Sequence, residues 1–176
     1  IAVDISVDFL RDALGTLRWV QQQPEWASAA PGGKPLPVVL LGWSHGGSAV
    51  LESTDGRLPL PLGFTPRFAH AVAFYPGCSQ ALRRGYMPQA PLTLLIGGQD
   101  DWTPPGPCIE LAQRSGAELQ LYPEAHHGFD APTGEVRHLR DVPNGVFPGQ
   151  GVHAGRHEAA RVDAWRRVAE LLQHLA

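Results

Sequence analysis

Apolar residues in this chain follow two rhythms. Across residues 4–22, Leu10, Ala13, Leu14, Leu17 and Val20 recur every three or four positions, with Asp8, Arg11, Asp12 and Arg18 between them. That spacing predicts an amphipathic helix, which Pro24 should stop. Four later segments are short and apolar: Val38 to Leu41, Ala69 to Tyr75, Leu92 to Ile96, and the alternating Glu118 to Tyr122. The first three are predominantly apolar runs, the pattern of strands buried on both faces, and the fourth alternates as a half-buried strand does.

Helical signals fall between and after these runs. One helix is expected from the end of the first run to about Thr54. A short one covers residues 109–114 and is closed by Gly116. A last amphipathic helix carries Ala160, Trp165, Val168, Leu172 and Leu175. Residues 30–35 and the proline-rich stretch 56–67 predict loops, and residues 129–155 predict a long, polar, glycine-rich connection. Strands alternating with helices imply βαβ units with right-handed crossovers, hence an α/β fold with a mostly parallel sheet flanked by helices. In such sheets the chemistry collects beyond the carboxyl ends of the strands.

The loop after the first strand run carries the strongest chemical signal. Gly42-Trp43-Ser44-His45-Gly46-Gly47 places a serine inside Gly-x-Ser-x-Gly at a strand-to-helix turn, the arrangement of a nucleophile elbow. Both flanking glycines are expected where a Cβ would collide with the neighbouring strand or helix, and Gly47 where a helix packs closely. A serine nucleophile needs a base, and the base needs a carboxylate to orient it. The third run ends in Gly97-Gly98-Gln99-Asp100-Asp101-Trp102-Thr103-Pro104, offering two carboxylates. The fourth is followed by Pro123-Glu124-Ala125-His126-His127-Gly128-Phe129-Asp130, offering two histidines. From the residues alone the acid is Asp100 or Asp101 and the base His126 or His127. The order Ser, Asp, His along the chain is that of the α/β-hydrolase triad.

These motifs together resemble the dienelactone hydrolase family of α/β-hydrolases. The family's Gly-x-(Cys or Ser)-x-Gly-Gly elbow, Gly-x-x-Asp-x-x-x-Pro acid loop and His-x-Phe base loop look like residues 42–47, 97–104 and 127–129. Tyr75-Pro76-Gly77 and the helix carrying Ala160 and Trp165 are also similar. The resemblance selects Asp100 as the acid and His127 as the base. It implies a carboxylic ester or lactone hydrolase, with serine where dienelactone-opening members use cysteine. One oxyanion amide is then the backbone N–H of His45, with Trp43, Trp102 and the His45 side chain lining a pocket. No cofactor is implied. The family sheet also has strands before the first helix seen here, one followed by a loop that supplies the second oxyanion amide. The chain is therefore expected to be the C-terminal portion of a single α/β-hydrolase domain, a weak catalyst by itself.

Composition narrows the alternatives. The chain has 176 residues, 43% of them hydrophobic, which suits one globular domain with a core. A net charge of −3 supplies no basic field for nucleic acid or an anionic membrane, so the expected partner is a small-molecule ester. The sequence implies neither an oligomeric state nor a compartment. Cys78 and Cys108 lack metal-ligand spacing; they are either separate buried thiols or a disulfide beside the site. Three rival functions remain: a prolyl-oligopeptidase-like peptidase, a noncatalytic binding module on the same fold, and a metal protein using His126, His127, Asp130, His153 and His157.

Overall fold

The computed structural model describes residues 5–27, 36–58, 67–143 and 145–175, so the expected loop at 30–35 and residues 59–66 of the proline-rich stretch lie outside the described residues. At its centre is a four-stranded parallel sheet in sequence order: β1 (Val39–Trp43), β2 (His70–Phe74), β3 (Leu92–Gly97) and β4 (Glu118–Tyr122). Gly42 pairs with Ala73, Phe74 with Leu95, and Gly97 with Tyr122. The four carboxyl ends therefore open on the same side, and the loops that leave them meet there.

The predominantly apolar runs are explained by burial on two faces. β2 directs Ala71 and Ala73 to one side and Val72 and Phe74 to the other, all essentially inaccessible. The first side is covered by α3 (His45–Ser53), α4 (Ser79–Arg84) and α5 (Pro105–Ser115), through Val50, Leu51, Ala81 and Leu111. The second is covered by α6 (Glu158–Leu175), through Ala160, Ala164 and Val168, with Phe129 wedged beneath. Fully burying a side chain such as Phe74 or Phe129 contributes about 1.5–3 kcal/mol. The first predicted helix is α1 (Ile5–Gln22), which sets Leu10, Leu14 and Leu17 against Phe68 and Leu40 and runs beside α3.

Several local expectations need correcting. Pro24 does not simply end the first helix: after a break at Gln23 it opens a one-turn helix, α2 (Pro24–Ala27), because proline suits a first helical position. α5 starts at Pro105, ahead of the expected residue 109, for the same reason. α4, which the periodicity did not reveal, is too short for a 3.6-residue rhythm to register; its signal is Gly85, which closes it in the left-handed conformation at φ 75°. The connection expected at 129–155 contains an antiparallel pair, β5 (Arg137–Leu139) and β6 (Val152–Ala154). With three residues each, these strands are too short to show alternation. Finally, the two cysteines do not remain separate. Cys78 and Cys108 form a disulfide that ties the loop after β2 to α5 across 30 residues. A bridge of that span contributes about 3 kcal/mol, chiefly by restricting the unfolded chain.

Candidate active site

Ser44 alone makes the turn between β1 and α3. Its φ of 52° lies in the region that favours glycine, and among the described residues only Tyr75, at 38°, is another non-glycine with positive φ. Such a backbone costs of order 1–2 kcal/mol and persists only where its surroundings over-determine it. Here the Ser44 N–H donates to the Phe74 carbonyl at 2.9 Å, and the Ser48 N–H donates to the Ser44 carbonyl at 3.0 Å. Gly42 is required by contact: a Cβ there would lie 2.2 Å from the Gly46 carbonyl oxygen. Gly46 departs from expectation, since an added Cβ would meet nothing within 4 Å. It is exposed on the side of α3 that lines an open apolar groove beside β1. The second glycine that contact requires is Gly47, where a Cβ would sit 2.9 Å from the Phe74 carbonyl oxygen.

The loops after β3 and β4 bring a carboxylate and an imidazole to this serine. Ser44 Oγ lies 2.8 Å from His127 Nε2, and His127 Nδ1 lies 2.8 Å from Asp100 Oδ2. The His127 and Asp100 side chains are only 6% and 1% exposed, so the pair is shielded from water's screening. Asp100 is held on every side: Oδ1 accepts the N–H groups of Trp102 and Thr103, at 2.9 and 2.8 Å. The Thr103 hydroxyl lies 2.9 Å from Asp100 Oδ2, 3.0 Å from the Tyr75 carbonyl and 3.1 Å from His127 Nδ1. With its proton on Nδ1, facing Asp100, the imidazole presents the Nε2 lone pair to the serine hydroxyl.

Aromatic rings flank the imidazole. Tyr75 and Trp102 have ring centroids 4.6 and 4.9 Å from that of His127. Trp102 also donates its Nε1–H to the Pro143 carbonyl at 3.0 Å. Trp43 stacks on Phe74 at 5.4 Å and donates its Nε1–H to Asp130 Oδ2 at 2.9 Å. The Tyr75 hydroxyl donates to Asp130 Oδ1 at 2.6 Å. Burial, then the hydrogen bond to Asp130, then the charges of Asp130 and Asp100 push the Tyr75 phenol far above its ordinary pKa, so it remains a donor. The His45 side chain is exposed, with its ring edge-on to Phe9 of α1 at 5.1 Å. As the first residue of α3, His45 has no acceptor for its N–H within the helix.

The remaining candidates are placed elsewhere. Asp101 turns away from His127 and accepts from His153 twice, from the backbone N–H and from Nδ1, both at 2.7 Å. His126 is not near Ser44 in any bonded sense; its ring faces that of His153 at 5.6 Å. His153 lies in β6, whereas His157 precedes α6 and accepts the Ala160 N–H at 3.2 Å, capping that helix. Among the described residues no three His, Cys, Asp or Glu side chains are grouped to hold a metal ion. Thr103 and Asp130 were missed as contributors, and Tyr75 was read only as part of a loop. Each lies in a loop after a strand, but a threonine or an aspartate there looks like an ordinary turn residue.

A parallel sheet with a serine at the β1–α3 turn, and a carboxylate and a histidine after later strands, is the α/β-hydrolase fold. The model of the dienelactone hydrolase family matches residues 12–176, and the chain belongs to that family of hydrolases. Solved structures share the fold at low identity. A Klebsiella pneumoniae protein assigned to the dienelactone hydrolases superposes with a TM-score of 0.59 at 19% identity, over 96% of this chain and 61% of its own. The carboxylesterase Cest-2923 of Lactobacillus plantarum gives 0.62 at 15% identity, over 95% of this chain and 68% of its own. Dipeptidyl peptidase 4 of Porphyromonas gingivalis gives 0.61 at 13% identity, over 97% of this chain but 23% of its own. The chain thus spans about three-fifths of the length of the Klebsiella protein. No curated protein sequence matches it. No helix among the described residues is long and apolar enough to cross a membrane.

Proposed function

We propose that the protein hydrolyses carboxylic esters or lactones through an acyl-enzyme, with Ser44 as nucleophile, His127 as base and Asp100 as orienting acid. The observation that carries this reading is the unbroken chain from Ser44 Oγ through His127 to Asp100, each link 2.8 Å, at the N-terminus of α3. Ser44 Oγ attacks the ester carbonyl carbon while its proton passes to His127 Nε2. The new oxyanion is met by the His45 N–H and by the positive end of α3. Collapse expels the alcohol oxygen, which takes the proton from Nε2 and leaves Ser44 acylated. A water then gives its proton to Nε2 and attacks the acyl carbon, and the serine oxygen departs with that proton. Asp100 keeps the imidazole in the required tautomer and stabilises the imidazolium without taking its proton. No step calls for a cofactor. Trp102, whose ring lies 4.9 Å from that of His127, and Trp43, the residue before Ser44, offer apolar surface to acyl or alcohol groups.

The test is covalent labelling by a fluorophosphonate, mapped by peptide mass, beside hydrolysis of short nitrophenyl esters. The expected adduct is on Ser44, absent in Ser44→Ala and in His127→Ala. A folded protein that takes no label and cleaves no ester refutes the reading and leaves a binding module. Cleavage of a prolyl dipeptide amide in preference to esters would instead favour the peptidase.

A further inference from the structure

The described residues contain two strained backbone positions, Ser44 and Tyr75, and one carboxylate reaches both neighbourhoods. Asp130 Oδ1 accepts the hydroxyl of Tyr75 itself, at 2.6 Å, and Oδ2 accepts the indole N–H of Trp43, the residue just before Ser44, at 2.9 Å. We propose that Asp130 is a positioning residue, a two-pronged strap that aligns the nucleophile and the base through Trp43 and Tyr75. The inference rests on the ester-hydrolase reading of the same site.

The chemistry of the strap matches its geometry. Two donors approach from the end of β1 and from the loop after β2, and a carboxylate offers one oxygen to each; an asparagine would turn an N–H₂ group toward one of them. Hydrogen bonds to an ionised acceptor are roughly twice as strong as neutral ones. Through Trp43 the strap holds the last residue of β1, already stacked on Phe74, and so limits the freedom of the turn at Ser44. Through Tyr75 it acts on the base from two directions. The Tyr75 ring rests against the His127 imidazole, and the Tyr75 carbonyl is within reach of the Thr103 hydroxyl that also faces Asp100 and His127. Asp130 is itself three residues beyond His127, so one side chain joins the end of β1 to the loops after β2 and β4. The raised pKa of the Tyr75 phenol keeps that prong protonated across the working pH range. Displacing reacting groups by a fraction of an ångström costs rate without weakening substrate binding, and that is the signature to look for.

The experiment compares Asp130→Asn, Asp130→Glu, Tyr75→Phe and Trp43→Phe with the wild type in nitrophenyl ester hydrolysis and in the rate of fluorophosphonate labelling at Ser44. Asp130→Asn is expected to lower kcat and the labelling rate about tenfold or more, with KM changed less than about threefold. Tyr75→Phe and Trp43→Phe should each give part of that loss, Asp130→Glu should recover part of it, and Asp130→Asn/Tyr75→Phe should be little worse than Asp130→Asn alone. If Asp130→Asn lacks the near-ultraviolet dichroism of the native fold, the single-donor variants carry the test, since each leaves the carboxylate in place. A kcat within twofold of wild type in Asp130→Asn, Tyr75→Phe and Trp43→Phe, with only thermal stability reduced, overturns the inference and makes Asp130 a structural contact. A wild type that takes no label sinks the ester-hydrolase reading and this inference with it, an outcome distinct from a labelled wild type and unaffected variants.

Discussion

Asp100 and Asp101 are adjacent, chemically identical, and each holds a histidine 2.7–2.8 Å away, yet they serve opposite sides of one loop. The Asp100–His127 side chains are 1% and 6% exposed; the Asp101–His153 side chains are 29% and 46% exposed. Asp100 takes four donors, three of them from its own turn, and faces the serine through His127. Asp101 takes two donors from β6, and its carbonyl accepts the Val146 N–H at 2.9 Å, so it fastens the excursion that carries β5 and β6. A carboxylate–histidine pair is therefore not a functional signal by itself. What distinguishes the two is the low-dielectric setting and the completeness of the carboxylate's hydrogen bonding, because these decide whether the imidazole is held in one orientation or merely tethered.

The comparison breaks most readily at the two carboxylates. Asp100→Asn is expected to reduce kcat/KM by about 10³–10⁴, since the amide favours the wrong imidazole tautomer, whereas Asp101→Asn should change it less than about threefold. Steady-state hydrolysis of a nitrophenyl ester measures both, and equal losses would dissolve the distinction. A smaller effect sharpens the account of Asp100: Thr103→Val removes the hydroxyl shared among Asp100, Tyr75 and His127, and should cost about tenfold in kcat, about 1–1.5 kcal/mol. Among the described residues no hydroxyl bridges Asp101 and His153 in this way. Smaller again, and on the other side of the loop, His153→Ala should raise hydrogen exchange about fivefold in residues 137–154 while leaving β3 unchanged. Uniform acceleration across both would show that the excursion and the sheet open together.

The smallest effect is with pH. Burial alone would raise the Asp101 carboxyl, but the side-chain and backbone hydrogen bonds from His153 outweigh it and hold its pKa below the ordinary carboxylate value. A carboxyl lowered by folding adds stability that is present above its unfolded pKa and is lost as pH falls through the folded one. Protection of the β5–β6 excursion should accordingly fade on acidification below about pH 4, and the difference between wild type and Asp101→Asn should shrink over the same interval. Hydrogen exchange at pH 3 and pH 5 measures this, and an excursion that tightens on acidification contradicts the assignment.

What the chain disclosed in advance follows from where each signal is written. The buried strands were readable because Leu92 to Ile96 and Ala69 to Tyr75 are covered on both faces, so each run is apolar except for one polar residue, Thr93 and His70, which lie 2.9 Å apart across neighbouring strands. The elbow was readable because Gly42 and Gly47 are fixed by contacts shorter than a Cβ allows, although Gly46 shows that the motif's third fixed position is not held that way here. The choice between neighbours, Asp100 or Asp101 and His126 or His127, was not readable from local spacing. It depends on which side chain a turn sends inward, which is decided by backbone N–H groups at residues 102 and 103 that carry no side-chain identity. Resemblance to the family pointed to Asp100 and His127, the pair found joined to Ser44. The contacts of Asp130 depend on partners 55 and 87 residues away, and no local pattern encodes them.

The positive φ of Ser44 has an evolutionary consequence. Glycine would adopt that backbone without strain, so a lineage released from selection for a hydroxyl at this turn could relieve a local strain of order 1 kcal/mol by exchanging the serine for glycine. A serine found at this turn therefore stands against the local preference of the backbone that carries it.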